Sequence, residues 1–432
     1  MAAPRPEPAR TSGGVGPKRV KLGRLGPRHL ALAMSAVLLA WLILIVTGIG
    51  QEFPNDYAAF YAMGRGLRIY GLGLGSQLYS VHLQYALEAF IRDRAGASLA
   101  IPFVNPPIAA WVMLPYSLLP LRAAYLLWDA TGLIAFVGGL VWLGRTSPLL
   151  DRMGLLVLGL ASSYPVYLAL GQGQFDLLWP LAAALFASSL ECPQRLRYLP
   201  RAAVAALIVA IKPDLFVAFL VPLVAGWRRA PVRVLVATLL ILGALTALIL
   251  GPAGLGEVVH IELYTIARRF PPSQDMTVVG FFYRLLGPGR ATSGLGIAAI
   301  PVGVGGLWWA WHRNPPRSRV DWWLALTAAC CLSLLISPHD LVQGLLLLAA
   351  PAVLVAKALR ATGHSLLPLA GWILAFDLVT LVDMSPHLYL PVRLTPVLLL
   401  IAAISAWRLR GHLNAGGAPD PSSRGASTQG EA

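Results

Sequence analysis

Residues Gln51 to Ser80, QEFPNDYAAFYAMGRGLRIYGLGLGSQLYS, are polar, aromatic and punctuated by glycine, and they follow directly on a long apolar run. Within them Asn55 and Asp56 open a segment in which Tyr57, Phe60, Tyr61, Gly64 and Arg68 recur at three- and four-residue intervals, the spacing of an amphipathic helix lying at a membrane interface. Asp56 falls in the first turn. A carboxylate there either caps the helix and complements its dipole or is the chemical centre that the surrounding side chains serve. Other polar groups stand at the ends of apolar runs: Asn105 in IPFVNPP, Gln172 and Gln174 in GQGQFD, Lys212 in IKPD, Arg268 and Arg269 before PPSQD, Arg284 in VVGFFYRLLG, and His339 and Asp340 in SPHD. Arginine suits phosphate through its bidentate fork, although each arginine alone also fits a rim charge balanced by anionic headgroups. Lys212 is placed to meet a lipid phosphate at headgroup depth or to snorkel there. His339 either neutralises such a phosphate or serves a helix cap. Charged groups near a bilayer are costly unless paired or hydrated, so polar residues at many helix ends imply a shared aqueous pocket. Asn55, Tyr57, Tyr61, Asn105, Gln172, Gln174 and Asp340 are its candidate lining.

The elements that must hold these residues are helices in a membrane. Of 432 residues, 57% are hydrophobic and 12% charged, against about 25% charged in soluble proteins. Uncharged runs of about 16 to 22 residues separated by short breaks predict an all-α polytopic protein rather than a barrel of alternating strands. The net charge of +15 invites nucleic acid as a partner, but the arginines fall in short loops and tails between apolar runs. That is the positive-inside pattern and argues against nucleic acid. Cys192 lies in a loop and Cys330 and Cys331 are adjacent in an apolar run, which gives neither a disulfide framework nor zinc spacing. No group of carboxylates calls for a metal, and no cofactor is implied.

Residues 1–27, rich in Pro, Gly, Arg and Lys, read as a disordered cytoplasmic tail. Leu30 to Gly50 is longer than the roughly 7 to 15 apolar residues of a signal peptide and lacks an A-x-A-like site, which predicts an uncleaved first crossing. Val81 to Arg94 reads as a second surface helix and Ile101 to Pro107 as extended, since a residue before proline leaves the helical region. Residues 51–105 thus form a first large outer loop. Apolar runs follow at 108–119, 121–144, 153–171, 175–190, 202–211, 215–227, 232–250, 292–311, 322–336, 341–356, 366–382 and 392–407. The loops between them alternate. One kind bears arginine, at Arg145 to Arg152, before Arg201, at Arg228 to Arg233, after His312 and after Lys357; the other bears carboxylates, histidines and glutamines, at 171–176, 212–214, 251–290, 337–340 and 382–387. The first kind is predicted cytoplasmic, which places Asp56 and the second kind outside.

The run 108–119 spans only about 18 Å at 1.5 Å per residue, so it re-enters or packs near the outer face. About twelve crossings remain, with both termini and a second tail, 411–432, in the cytoplasm. A single broken span over 202–227 is the competing solution and would turn Gln172 and Gln174 inward; the hairpin keeps both flanking arginine loops inside. Trp308, Trp309, Trp311, Trp322 and Trp323 flank one cytoplasmic loop as an aromatic belt does. Asp129 and Asp377, within apolar runs, are expected to hydrogen-bond in the bundle interior.

Several motifs occur in an order that resembles a known family. They are the Asp56-Tyr57 pair after the first helix, a stretch ending in Leu78-Tyr79, NPP from Asn105, Gly171-Gln172, Ile211-Lys212-Pro213, and SPHD from Ser337. This looks like glycosyltransferase family 87, and the resemblance covers most of the chain from Leu30 to Trp407. It implies a helical bundle of the GT-C type, residues 28–410, with helices in its extracytoplasmic loops 51–105 and 251–290, in the cell membrane. It implies a polyprenyl-phosphate sugar as donor, with mannose the leading sugar, and a lipid or glycan acceptor. It also implies Asp56 as catalytic base in a single inverting displacement. Lys212 with Arg268, Arg269, Arg284 and His339 would then hold the donor phosphate. A transporter or lipid flippase is the competing class, but no internal repeat is visible and the large polar element is an outer loop. A non-enzymatic scaffold would not need its polar residues on one side.

Overall fold

Long uncharged runs satisfy their backbone groups internally, which in an apolar surrounding favours the helix, and every regular element among the described residues is helical. The computed structural model describes residues 27–48, 55–95, 102–144, 150–191, 194–212, 229–268, 275–287, 290–315, 319–337, 342–361, 363–384 and 394–415. Of the expected tails 1–27 and 411–432, residues 1–26 and 416–432 lie outside them, as do the run 215–227 on which the hairpin depends, Cys192, Arg269, His339, Asp340 and the loop 385–387, whereas residue 27 and residues 411–415 are helical rather than disordered.

Helix α1 (Pro27–Gly48) is apolar, with Leu32, Leu39 and Val46 exposed as a lipid-facing anchor requires. Helix α2 (Asn55–Tyr70), a 3-10 segment at Gly71–Tyr79 and α3 (Val81–Ala95) pack together, with α4 (Pro107–Met113) against α2. Only a 3-10 turn, Tyr116–Leu118, follows α4, so the run 108–119 is too short and too broken to cross. Helix α5 (Leu121–Gly144) is continuous, while α6 (Leu150–Ala161) and α7 (Tyr164–Gln172) meet at a bend of 48°. A 3-10 turn at Phe175–Leu178 leads into α8 (Trp179–Glu191), then α9 (Arg195–Ile211). Helix α10 (Arg229–Arg268) kinks where Gly251 takes a left-handed φ of 63° before Pro252. Then come α11 (Val278–Leu286), α12 (Arg290–Arg313), α13 (Arg319–Ile336), a 3-10 segment Val342–Leu348 running into α14 (Ala349–Ala361), α15 (Leu367–Met384) and α16 (Thr395–Ala415). One large core joins α2, α4, α5, α7, α8, α9, α13 and α14.

Among the described residues five helices are long and apolar enough to cross a membrane, or six if the bent pair α6 and α7 is one span. That is fewer than the apolar runs of the sequence, because breaks divide several runs: Ser162 and Ser163 split 153–171, and 175–190 and 320–336 form shorter apolar helices. The expected outer loop 251–290 is largely helical, over 251–268 and 278–286.

Two expectations are corrected. Helix α2 is not an amphipathic helix with one wet face: every residue from Tyr57 to Gly64 is buried, because α4 and the turn at 116–118 cover one side while α3 and the segment 71–79 cover others. Nor do five tryptophans form a belt. Trp308 and Trp309 are exposed, but Trp311, Trp322 and Trp323 are buried, Trp311 meeting Trp322 edge-on at 5.8 Å. They sit where α12 and α13 face each other, and this burial uses them as core. Near them a buried ion pair between Arg410 and Asp321 ties α16 to α13. Asp377 does hydrogen-bond in the interior, accepting from the Tyr164 N–H at 3.3 Å, whereas Asp129, buried beside Tyr57 and Tyr125, departs from that expectation: neither carboxylate oxygen has a hydrogen-bond partner among the described residues, since the Tyr125 hydroxyl donates to the Leu170 carbonyl.

The contact of α5 with α8 is made at a glycine, as close helix approach in membranes favours. A Cβ at Gly139 would lie 2.6 Å from the backbone nitrogen of Leu181, whereas one at Gly138 would meet nothing within 4 Å. Gly139→Ala should therefore lower stability by about 1 to 3 kcal/mol, and Gly138→Ala should be neutral or gain up to about 1 kcal/mol from helix propensity. Thermal unfolding in detergent decides between them; equal effects at the two positions would remove the close-contact account.

Candidate active site

Four chain segments converge on Asp56. The first is α2 itself, whose opening turn carries the carboxylate. The second is the end of α7. Its last residue is Gln172, and Gly173 follows with φ 66° and ψ 38°, a left-handed conformation in which a side chain is strained. The Gly173 N–H reaches the Leu170 carbonyl at 3.0 Å and the Gln174 N–H reaches that of Ala169 at 2.8 Å, the paired bonds that close a helix in a Schellman turn. Gly173 is required for a second reason: a Cβ there would sit 2.8 Å from the Tyr57 side chain. The chain leaves the turn with the Gln174 amide donating to Oδ2 of Asp56.

The third segment is the 3-10 turn after Gln174, where Asp176 is fully buried. The fourth is the end of α9, where Lys212 leaves the helical conformation and extends its Nζ to Oδ1 of Asp176 at 3.0 Å. The ammonium also lies 5.4 Å from the centre of the Trp179 ring, a separation at which a cation is attracted to the π face. Asn105 joins this segment by donating to the Ile211 carbonyl at 3.4 Å, and its own carbonyl accepts from the Tyr79 hydroxyl at 2.6 Å.

Desolvation dominates the electrostatics. It pushes the Asp56 carboxyl up to about 6; the Gln174 hydrogen bond and the Lys212 charge pull it down, and Asp176 pushes it up. Asp56 nevertheless retains partial solvent access. Burial, and next to it the charge of Asp129, holds the neighbouring Tyr57 hydroxyl well above its ordinary range, so that it stays protonated. A carboxylate whose proton affinity lies near neutrality can take and release a proton at physiological pH. Beside it the Lys212 ammonium, paired with Asp176 at 3.0 Å, supplies a fixed positive charge.

Of the residues singled out in the sequence, Asp56, Gln174 and Lys212 thus form one electrostatic unit, with Tyr57 and Asn105 at its edge. Tyr61 instead donates its hydroxyl to the Leu119 carbonyl at 2.8 Å, joining α2 to the chain after α4. Gln172 ends α7 with its Oε1 buried and without a hydrogen-bond partner among the described residues. Arg284 is engaged in its own loop, donating to the Asp275 carbonyl at 2.9 Å. The side chains of Asn55 and Arg268 lie outside the described residues. Asp176 and Trp179, which hold Lys212, were not singled out. The acid in GQGQFD was a signal for the first, but nothing local pairs it with a lysine 36 positions away.

A family model described as Glycosyltransferase family 87 matches residues 103–338. The match takes in Asn105, Gln174, Asp176 and Lys212 and begins after Asp56. No curated protein and no solved structure matches.

The raised affinity of Asp56 has a consequence for stability. Its folded value of about 6 exceeds the ordinary 3.8, so the folded state is not penalised below the ordinary value. It loses stability as pH rises through 6, by at most roughly 3 kcal/mol. Asp56→Asn removes that penalty. The variant should be more stable than the parent at pH 7 to 8, with the difference vanishing near pH 4, as read by thermal unfolding across pH. A variant less stable than the parent at neutral pH would mean that the charge of Asp56 stabilises the fold and that its proton affinity is not raised.

Proposed function

Because the chain belongs to glycosyltransferase family 87, and is accordingly a membrane glycosyltransferase, we propose that it transfers a hexose or pentose, mannose foremost, from a polyprenyl-phosphate donor to a lipid or glycan hydroxyl, with Asp56 as general base. The observation that carries this reading is the Asp56 carboxyl, held by the Gln174 amide and acted on by the charge of Lys212, whose ammonium is fixed by Asp176. The acceptor oxygen attacks the anomeric carbon from the face opposite the phosphate while its proton passes to Asp56. The bond from carbon to phosphate oxygen breaks with its electron pair, and the configuration inverts. Phosphate leaves without needing a proton, so one carboxylate suffices where glycosidases use two. At neutral pH Asp56 is mostly ionised and ready to accept, and its proton then returns to water.

Lys212 receives the charge of the leaving phosphate. Arg268, Arg269, Arg284 and His339 complete the phosphate site from the second outer loop and from SPHD. The site opens on the extracytoplasmic side of a bundle of the GT-C type, with about twelve crossings and both termini in the cytoplasm.

Three measurements follow from this reading. In proteoliposomes supplied with polyprenyl-phosphate mannose, Asp56→Asn should lower transfer by about 10²-fold to 10⁴-fold, the usual contribution of a general base. Activity within a few-fold of the parent would remove Asp56 from that role. Lys212→Ala should weaken dependence on the donor by at least about ten-fold, as loss of a charge-assisted contact does; unchanged donor dependence would move the phosphate elsewhere. Impermeant thiol labelling of single cysteines at 56, 172, 212, 284 and 339 should succeed in sealed cells, and at 145, 197, 228 and 317 only after permeabilisation. Labelling at 172 only after permeabilisation would establish the single broken span over 202–227.

A further inference from the structure

The hydrogen bond from Gln174 to Asp56 depends on where the chain points as it leaves α7, and that direction is set by one peptide plane, the one joining Gly173 to Gln174. Its two polar edges belong to a single rigid unit. On one edge the Gln174 N–H donates to the Ala169 carbonyl at 2.8 Å. On the other, the Gly173 carbonyl accepts from the Trp128 indole N–H at 2.8 Å, a buried bond from α5. Tyr125, one turn earlier on α5, donates its hydroxyl to the Leu170 carbonyl at 2.7 Å. The ring of Trp128 also meets that of Phe175 edge-on at 5.0 Å, and Phe60 closes on Phe175 at 4.7 Å. The residues before and after Gln174 are thereby both held by Trp128.

We infer that Trp128 is a positioning residue for sugar transfer: by fixing the Gly173–Gln174 peptide plane it keeps the Gln174 amide on the Asp56 carboxylate. This rests on the reading of Asp56 as base. Trp128 itself touches neither reacting group. The charged groups acting on Asp56 from neighbouring elements are Lys212 and Asp176; Asp129 lies on α5 beside Tyr57, and α4 carries no ionisable residue. Replacing Trp128 by Phe leaves all of them in place and removes one N–H. Without it the plane can rotate, the amide swings off Asp56, and the carboxylate loses a donor that favours its charged form.

Infrared pH titration of the purified full chain, with Asp56→Asn as the subtraction, reads the Asp56 midpoint without any substrate. The midpoint should rise in Trp128→Phe by about one pH unit, the scale of one lost hydrogen bond to a carboxylate. Gln174→Leu should give the same rise, and the double variant no more than either alone, because the two residues act through one contact. In turnover with polyprenyl-phosphate mannose, the acid limb of kcat should move upward by the same amount while the donor KM stays within about two-fold. A midpoint unmoved in Trp128→Phe, a midpoint unmoved in Gln174→Leu, or two independent rises that add in the double variant would each overturn the proposal. If Trp128→Phe does not fold, the benzothiophene isostere at position 128, which lacks only the N–H, takes its place and is judged by the same shift. Retention of transfer by Asp56→Asn would overturn the base reading instead, and it is seen separately from the titration.

Discussion

The site depends on a carboxylate that is deprived of water and yet kept able to ionise. Desolvation alone would drive Asp56 far upward, and the Gln174 amide and the Lys212 ammonium limit the rise to about 6. Each compensation needs its own support. Lys212 ends a helix and would have many rotamers open to it, but Asp176 and the Trp179 face select one. Asp176, fully buried, would in turn be costly without Lys212. Asp56, Lys212 and Asp176 thus form an alternating row in which removing Lys212 leaves both carboxylates without a cation.

The row can exist only because helices end where it needs them to. Helix α2 begins at Asn55, α7 closes in the Gly173 turn and α9 stops before Lys212. A helix interior presents side chains sideways and keeps its backbone groups to itself, whereas a helix end frees them for tertiary bonds. Trp128, Tyr125 and Asn105 donate to carbonyls at such ends, those of Gly173, Leu170 and Ile211. These three bonds hold the ends of α7 and α9 in register.

Local features of this arrangement were legible in the sequence. Asn55-Asp56 after an apolar run marks a helix start, and the residue composition fixes a helical membrane protein; both depend on short-range propensity and solvent preference. Long-range features were not. The spacing of Tyr57, Phe60 and Tyr61 shows that one face of α2 is apolar, but it cannot show that α3 and α4 cover the remaining faces. A tryptophan near a loop reads the same whether it is exposed, as Trp308 is, or packs edge-on inside, as Trp311 does. Apolar runs count segments, but a pair of serines at 162 and 163 decides whether a segment is straight or bent, and the sequence carries no measure of that angle. The pairing of Lys212 with Asp176 and of Trp128 with Gly173 joins positions brought together only by the packing of α5, α7 and α9.

The charges of the row also constrain how a donor could be held. With Asp56 ionised, Asp56, Lys212 and Asp176 together carry one net negative charge, so a phosphate brought to Lys212 adds negative charge to a site that already has an excess. Two consequences follow from the same Coulomb argument. Further cations must approach with the donor, which is a reason for the arginines of the 251–290 segment to matter even though Arg284 is engaged within its own loop. And whatever negative charge remained uncompensated would raise the proton affinity of Asp56, which under the proposed mechanism would make it a stronger base while a donor is bound. Breaking the bond to the sugar would turn a singly charged phosphodiester into a monoester with up to two charges, so the proton affinity of Asp56 would rise again while the lipid phosphate stayed, and only its departure would let the carboxylate release its proton from a charge row short of one cation.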